Sequence, residues 1–86
     1  SKRHRMVKVH LWSGLRSLVD GQDAVEVQAS TVGDILRGLV KLYPGLEGPI
    51  EAGVSVAVDG KIIANDLTTP VTPESEIYLM QKLRGG

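Results

Sequence analysis

Thr31-Val32-Gly33-Asp34-Ile35-Leu36-Arg37-Gly38-Leu39-Val40-Lys41-Leu42-Tyr43 is the one stretch of this 86-residue chain with a sustained helical period. Val32, Ile35, Leu36, Leu39, Val40 and Tyr43 recur at three- and four-residue steps and form a single apolar stripe. Thr31 followed three residues later by Asp34 fits a capping box, and Pro44-Gly45 ends the run. Gly33 and Gly38 each cost about 1 kcal/mol relative to alanine inside a helix. Such a helix has to be held by packing, and the flanking sequence supplies the surface.

On the N-terminal side, Val7, Val9 and Leu11 alternate with Lys8, His10 and Trp12, which predicts a half-buried strand over Met6–Trp12. Leu15, Leu18 and Val19 suit one short helical turn, with Gly21 placed to stop it. Val25, Val27 and Ala29 form a second alternating strand. On the C-terminal side, Leu46 to Gly53 reads as an irregular connection. Val54, Val56 and Val58 predict a third strand, Asp59-Gly60 a tight turn, and Lys61-Ile62-Ile63 a short edge strand. Asn65 to Pro73 is turn-rich, and Glu76 to Leu83 is the last strand. The order β-β-α-β-β-β implies a two-layer α+β domain, the β-grasp (ubiquitin-like) arrangement, with one main helix on one face of a mixed sheet. The expected organisation is a disordered basic tail over 1–5 and one domain over 6–86 with a flexible diglycine tail.

Composition removes most chemistries. With no cysteine there is no disulfide framework, thiolate nucleophile or cysteine-ligated zinc. His4 and His10 have no third ligand-type cluster beside them, so no metal site is expected. No nucleophile elbow, catalytic triad, carboxylate pair or phosphate-binding glycine loop is present. As a stand-alone enzyme the sequence has nothing to work with. No apolar run approaches the ~20 residues of a membrane span, so a cytoplasmic protein with no membrane partner is expected. Ten basic residues balance ten acidic ones. Lys2, Arg3 and Arg5 crowd the first five positions; without aromatic residues interleaved, they argue for a solvated tail rather than a nucleic-acid partner.

Two features remain. By strand parity, His10, Trp12, Tyr78 and Met80 point away from the helix, either forming an exposed aromatic–methionine patch suited to protein contact or lying under a loop. The chain then runs Gln81-Lys82-Leu83-Arg84-Gly85-Gly86. Two glycines make a thin tail able to thread a narrow channel, and the Gly86 carboxylate is its one reactive group. A carboxylate reacts at neutral pH only after activation, for instance as an acyl-adenylate.

The chain resembles the ubiquitin-like sulfur carriers: the small subunit of molybdopterin synthase (MoaD), to which it looks closer, and the thiamine sulfur carrier (ThiS). The resemblance spans 6–86. It is carried by Val7 to Leu18, by Thr31-Val32-Gly33-Asp34-Ile35-Leu36 through Tyr43-Pro44-Gly45-Leu46, by Val56-Ala57-Val58-Asp59-Gly60, by Thr69-Pro70-Val71 through Glu76-Ile77, and by the terminal Gly85-Gly86. It implies that an adenylating (activating) enzyme uses ATP on Gly86 and that a sulfur donor converts the adenylate to a thiocarboxylate. The sulfur then goes to an acceptor enzyme such as a molybdopterin synthase large subunit. The carrier itself binds no cofactor. Gly85 is the slim penultimate residue, and the face bearing Tyr78 and Met80, with His10 and Trp12, is the docking surface. Lys82, Leu83 and Arg84 are further partner contacts. One departure is the Leu83-Arg84 step, which is how ubiquitin ends. It keeps open a protein modifier joined through Gly86 to lysine amines, and a binding module with inert glycines stands as a third reading.

Overall fold

Helix α2 (Val32–Leu42) forms where the apolar stripe predicts it, in a computed structural model that describes residues 6–63 and 66–81. The basic arm over 1–5 and the tail positions Lys82, Leu83, Arg84, Gly85 and Gly86 lie outside the described residues. Val32, Ile35 and Leu39 are buried against the sheet, with Leu36 packed at the margin of the core.

The start of α2 is capped from two directions. The Thr31 hydroxyl accepts from the Asp34 N–H at 3.2 Å, and the Asp34 carboxylate accepts from the Ser30 N–H at 3.1 Å. The Ser30 N–H first, then the Arg37 guanidinium, favours the charged carboxylate and holds the Asp34 carboxyl below its usual range. The other two first-turn donors reach a distant loop: Val32 N–H donates to Thr69 O at 2.9 Å and Gly33 N–H to Leu67 O at 2.8 Å. This explains Gly33. A Cβ there would come 3.1 Å from the Leu67 carbonyl oxygen, whereas a Cβ at Gly38 would meet the Val27 Cβ at 3.4 Å, an ordinary contact.

The two glycines of one helix should therefore respond with opposite signs. Gly38→Ala is expected to raise unfolding free energy by up to about 1 kcal/mol, the propensity difference. Gly33→Ala should lower it, because the gain is offset by displacing a backbone carbonyl that caps the helix. Urea unfolding of both variants checks this; two stabilising substitutions would show that the loop does not demand glycine.

Under the helix lie β1 (Met6–His10), β2 (Ala24–Gln28), β3 (Val54–Val58), β4 (Lys61–Ile63) and β5 (Ile77–Gln81), in the order β2-β1-β5-β3-β4. The β1–β5 pairing is parallel and the others antiparallel, so the sheet is mixed, as expected of a β-grasp domain. Val7, Val9, Val27, Ile77 and Leu79 put their side chains into the core at 2% exposure or less. At the turn between β3 and β4, Asp59 (φ 53°) and Gly60 (φ 86°) both have positive φ, as a two-residue primed turn requires.

The structure departs from the sequence reading in the end of the first strand and in the connection after α2, while the short helical turn stopped at Gly21 forms as expected. The first strand ends at His10 rather than Trp12, because Trp12 already serves as the N-cap position of α1 (Ser13–Arg16). A 3-10 turn, Ser17–Val19, follows and ends at Asp20 and Gly21, both at positive φ. The connection read as irregular over Leu46–Gly53 is instead structured: a 3-10 turn, Pro44–Leu46, leads into α3 (Glu47–Ala52). Pro49 and Gly48 look like breakers, but Pro49 sits in the first turn, where no intrahelical N–H bond is lost. Leu46 is fully buried and Ile50 packs on the core, which holds this segment in place.

Candidate functional site

The sheet face turned away from α2 carries a row free of Asp, Glu, Lys and Arg that crosses all five strands. Register places Ala24 beside His10, His10 beside Tyr78, Tyr78 beside Ala57 and Ala57 beside Ile62. The His10 and Tyr78 rings stack, with centroids 4.4 Å apart and planes 17° from parallel. Stacking of this kind orders both side chains on the surface. Tyr78, at the middle of the row, is 43% exposed and Ile62 67% exposed, while Ala57 between them is buried. Met80, half-buried, follows two residues after Tyr78 on the same face, opposite Ser55. The charged pair Lys8 and Glu26 lies one row away, towards the Gln28 end of β2. Exposed aromatic and aliphatic side chains beside a charged margin have the composition of a protein contact surface.

Parity alone thus brings His10, Tyr78 and Met80 to one face. Trp12 takes a different place. It stands beyond the end of β1, half-buried, packed against the core, with its indole nitrogen 2.7 Å from where a Gly14 Cβ would be. Gly14 accommodates that ring. Ala57 and Ile62 were not singled out from sequence. The Asp59-Gly60 turn held the signal: a two-residue hairpin pairs Val58 with Lys61, hence Ala57 with Ile62, and fixes their shared face.

Beside this face runs β5, the strand that leads towards Gly85 and Gly86. It is the central strand, bonded to β1 on one side and β3 on the other, and its last residue, Gln81, pairs with Val54. Ile77 and Leu79 bury its inner side. Whatever force acts on the chain after Gln81 is therefore resisted by two ladders and the core.

Among the described residues, no group of three or more His, Cys, Asp or Glu is placed to hold a metal ion. None of the described helices is long and apolar enough to cross a membrane.

Comparison with known proteins agrees with this architecture. A family model described as the ThiS family matches residues 9–86. SAMP1, small archaeal modifier protein 1, of Haloferax volcanii superposes with a TM-score of 0.74 at 26% identity, covering 94% of this chain and 99% of its own. The crystal structure of the BexX/CysO complex of Amycolatopsis orientalis contains a chain with a TM-score of 0.74 at 21% identity (93% and 99% covered). The complex of subunits 1 and 2 of molybdopterin-converting factor from Helicobacter pylori contains one with 0.66 at 22% identity (94% and 99% covered). No curated protein sequence matches the chain.

Proposed function

The chain belongs to the ThiS family, ubiquitin-like sulfur carriers, and from that premise we propose that it carries sulfur on the Gly86 carboxylate for a cytoplasmic biosynthetic enzyme. The observation that carries this reading is that the family match runs through Gly86 on a chain whose central strand, β5, leads to it. A partner enzyme joins the carboxylate to the α-phosphate of ATP, releasing pyrophosphate. A sulfur donor attacks the acyl carbon; the C–S bond forms as the C–O bond to AMP breaks, and AMP leaves. The resulting thiocarboxylate passes its sulfur to an acceptor enzyme, with a molybdopterin precursor as the first candidate substrate. The carrier contributes the leashed reactive group and the docking face around His10, Tyr78 and Met80, and catalysis belongs to its partners. Two of the similar structures are themselves complexes, which supports a partner-dependent role.

The likeness to SAMP1 and the Leu83-Arg84-Gly85-Gly86 ending favour a second use of the same adenylate, attack by a lysine amine to give an isopeptide. Both readings share activation and differ in nucleophile. Intact-mass measurement after incubation with ATP, an activating enzyme and a sulfide source separates them. Sulfur carriage predicts a species heavier by the difference between sulfur and oxygen. Lysine-linked adducts without that species would leave only the modifier reading, and neither product would remove both.

A further inference from the structure

β2 is an outermost strand, and its free edge faces a groove rather than open solvent. The Leu11 N–H donates to Asp23 O at 2.9 Å, so that opposed pair is a hydrogen-bonded one. Alternation along an antiparallel ladder then turns the backbone groups of Val25 and Val27 towards β1 and those of Ala24, Glu26 and Gln28 outward. Across from them stands α2. A concavity of about 550 Å³ lies between Glu26 and Gln28 on the strand and Gly38, Lys41 and Leu42 on the helix. A second, of about 390 Å³, continues past Ala24 and Tyr43 and shares Glu26 and Leu42. Together they run the length of the strand.

Gly38 matters here for a second reason. Its Cβ would fit against Val27, so packing within the fold does not exclude alanine. The glycine weakens the helix and at the same time lowers the groove wall opposite Glu26 and Gln28. Leu42, 54% exposed at the junction of the two concavities, supplies an apolar contact.

We propose that this groove takes an extended peptide segment of a partner protein, added to the sheet beside β2, with apolar residues turned towards α2 and a lysine or arginine opposite Glu26. Backbone donors and acceptors along an edge are met in full only by another strand. The charge follows from Glu26, which forms no ion pair among the described residues although Lys8 stands directly across from it. The inner edge of β2 already illustrates the fit: Val7-Lys8-Val9 lies along it with Lys8 opposite Glu26 and both valines buried. A second copy suits the edge poorly, because two-fold pairing centred on Glu26 sets like carboxylates opposite each other. The groove requires no chemistry at Gly86.

The test is an NMR titration of the 15N-labelled full chain with a capped heptapeptide centred on Val-Lys-Val, and with its Val-Glu-Val counterpart. Expected are shifts and slowed amide exchange at Glu26 and Gln28, and about fivefold weaker binding of the acidic peptide, the upper range of a cross-strand charge pair. Gly38→Ala, which should fold at least as well as the parent, is expected to weaken the basic peptide about tenfold, as overpacking does. Shifts confined to the His10–Tyr78 face, equal binding of both peptides, or an unaffected Gly38→Ala variant would each overturn the proposal. So would concentration-dependent dimerisation abolished by Gly38→Ala, which would make the second copy the occupant.

Discussion

Deleting Gly86 is expected to abolish adenylation and thiocarboxylate formation while leaving the unfolding transition in place. The deletion does not remove a carboxylate; it moves one to Gly85 and shortens the reach by about 3.5 Å, one extended residue. Reacting groups need to approach within about 3–3.5 Å, and a misplacement near 1 Å already costs about 100-fold. A full residue exceeds that margin, so the activated species should fall at least about 100-fold. Every side chain of the described core lies between Val7 and Leu79, so stability should not follow the loss. Gly85→Val separates reach from slimness. It keeps the length and adds a β-branched side chain beside the reacting carbonyl, and activation should again fail if the partner's channel is narrow. The measurements are ATP–pyrophosphate exchange with the activating enzyme and intact mass. Full activity in the shortened chain would sink both the carrier and the modifier readings at once, because both begin with Gly86.

How much of this was legible in the sequence follows from how local each determinant is. The helix was legible because its period, cap and stop lie within Thr31–Gly45. The hairpin after Val58 was legible because Asp59-Gly60 is a local conformational requirement. His10 and Tyr78 share a face by parity within each strand, but their stacking depends on β1 lying beside β5, a pairing of the two ends of the sheet's chain. Parity within a strand says nothing about which strands are neighbours, so only the structure places the two rings together. α3 was missed because Gly48 and Pro49 were weighed by their usual effect inside helices, while Pro49 occupies the first turn and Ile50 holds the segment through a tertiary contact. The need for glycine at Gly33 was out of reach for the same reason: the carbonyl that approaches it belongs to Leu67. Trp12 was assigned to the strand face by extending an alternation two residues past the point where α1 takes over the backbone. Gly33 and Ile50 are places where a contact from elsewhere in the chain outweighed the local pattern, whereas Trp12 and Pro49 turn on where a neighbouring helix begins.

Leu39→Ala is expected to remove about 2–5 kcal/mol, the range for deleting a buried leucine to a partly relaxed cavity. A domain of this size has a total of roughly 4–13 kcal/mol, so the loss is a large share of the whole. The argument rests on a separation of terms that this site allows. Alanine is at least as good a helix former as leucine, so propensity contributes nothing to the loss. Leu39 is fully buried, so no solvent-exposed portion dilutes the effect. What remains is packing of α2 on the sheet, which the two glycines of α2 had already made necessary. Urea unfolding gives the magnitude. Alongside it, Ile62→Ala removes a side chain that is 67% exposed on the opposite face and should cost far less. A Leu39→Ala loss below about 1 kcal/mol would mean that α2 stands on its own propensity and caps. A large loss ties the helix, and through it the central strand β5, to the one apolar stripe read first in the sequence.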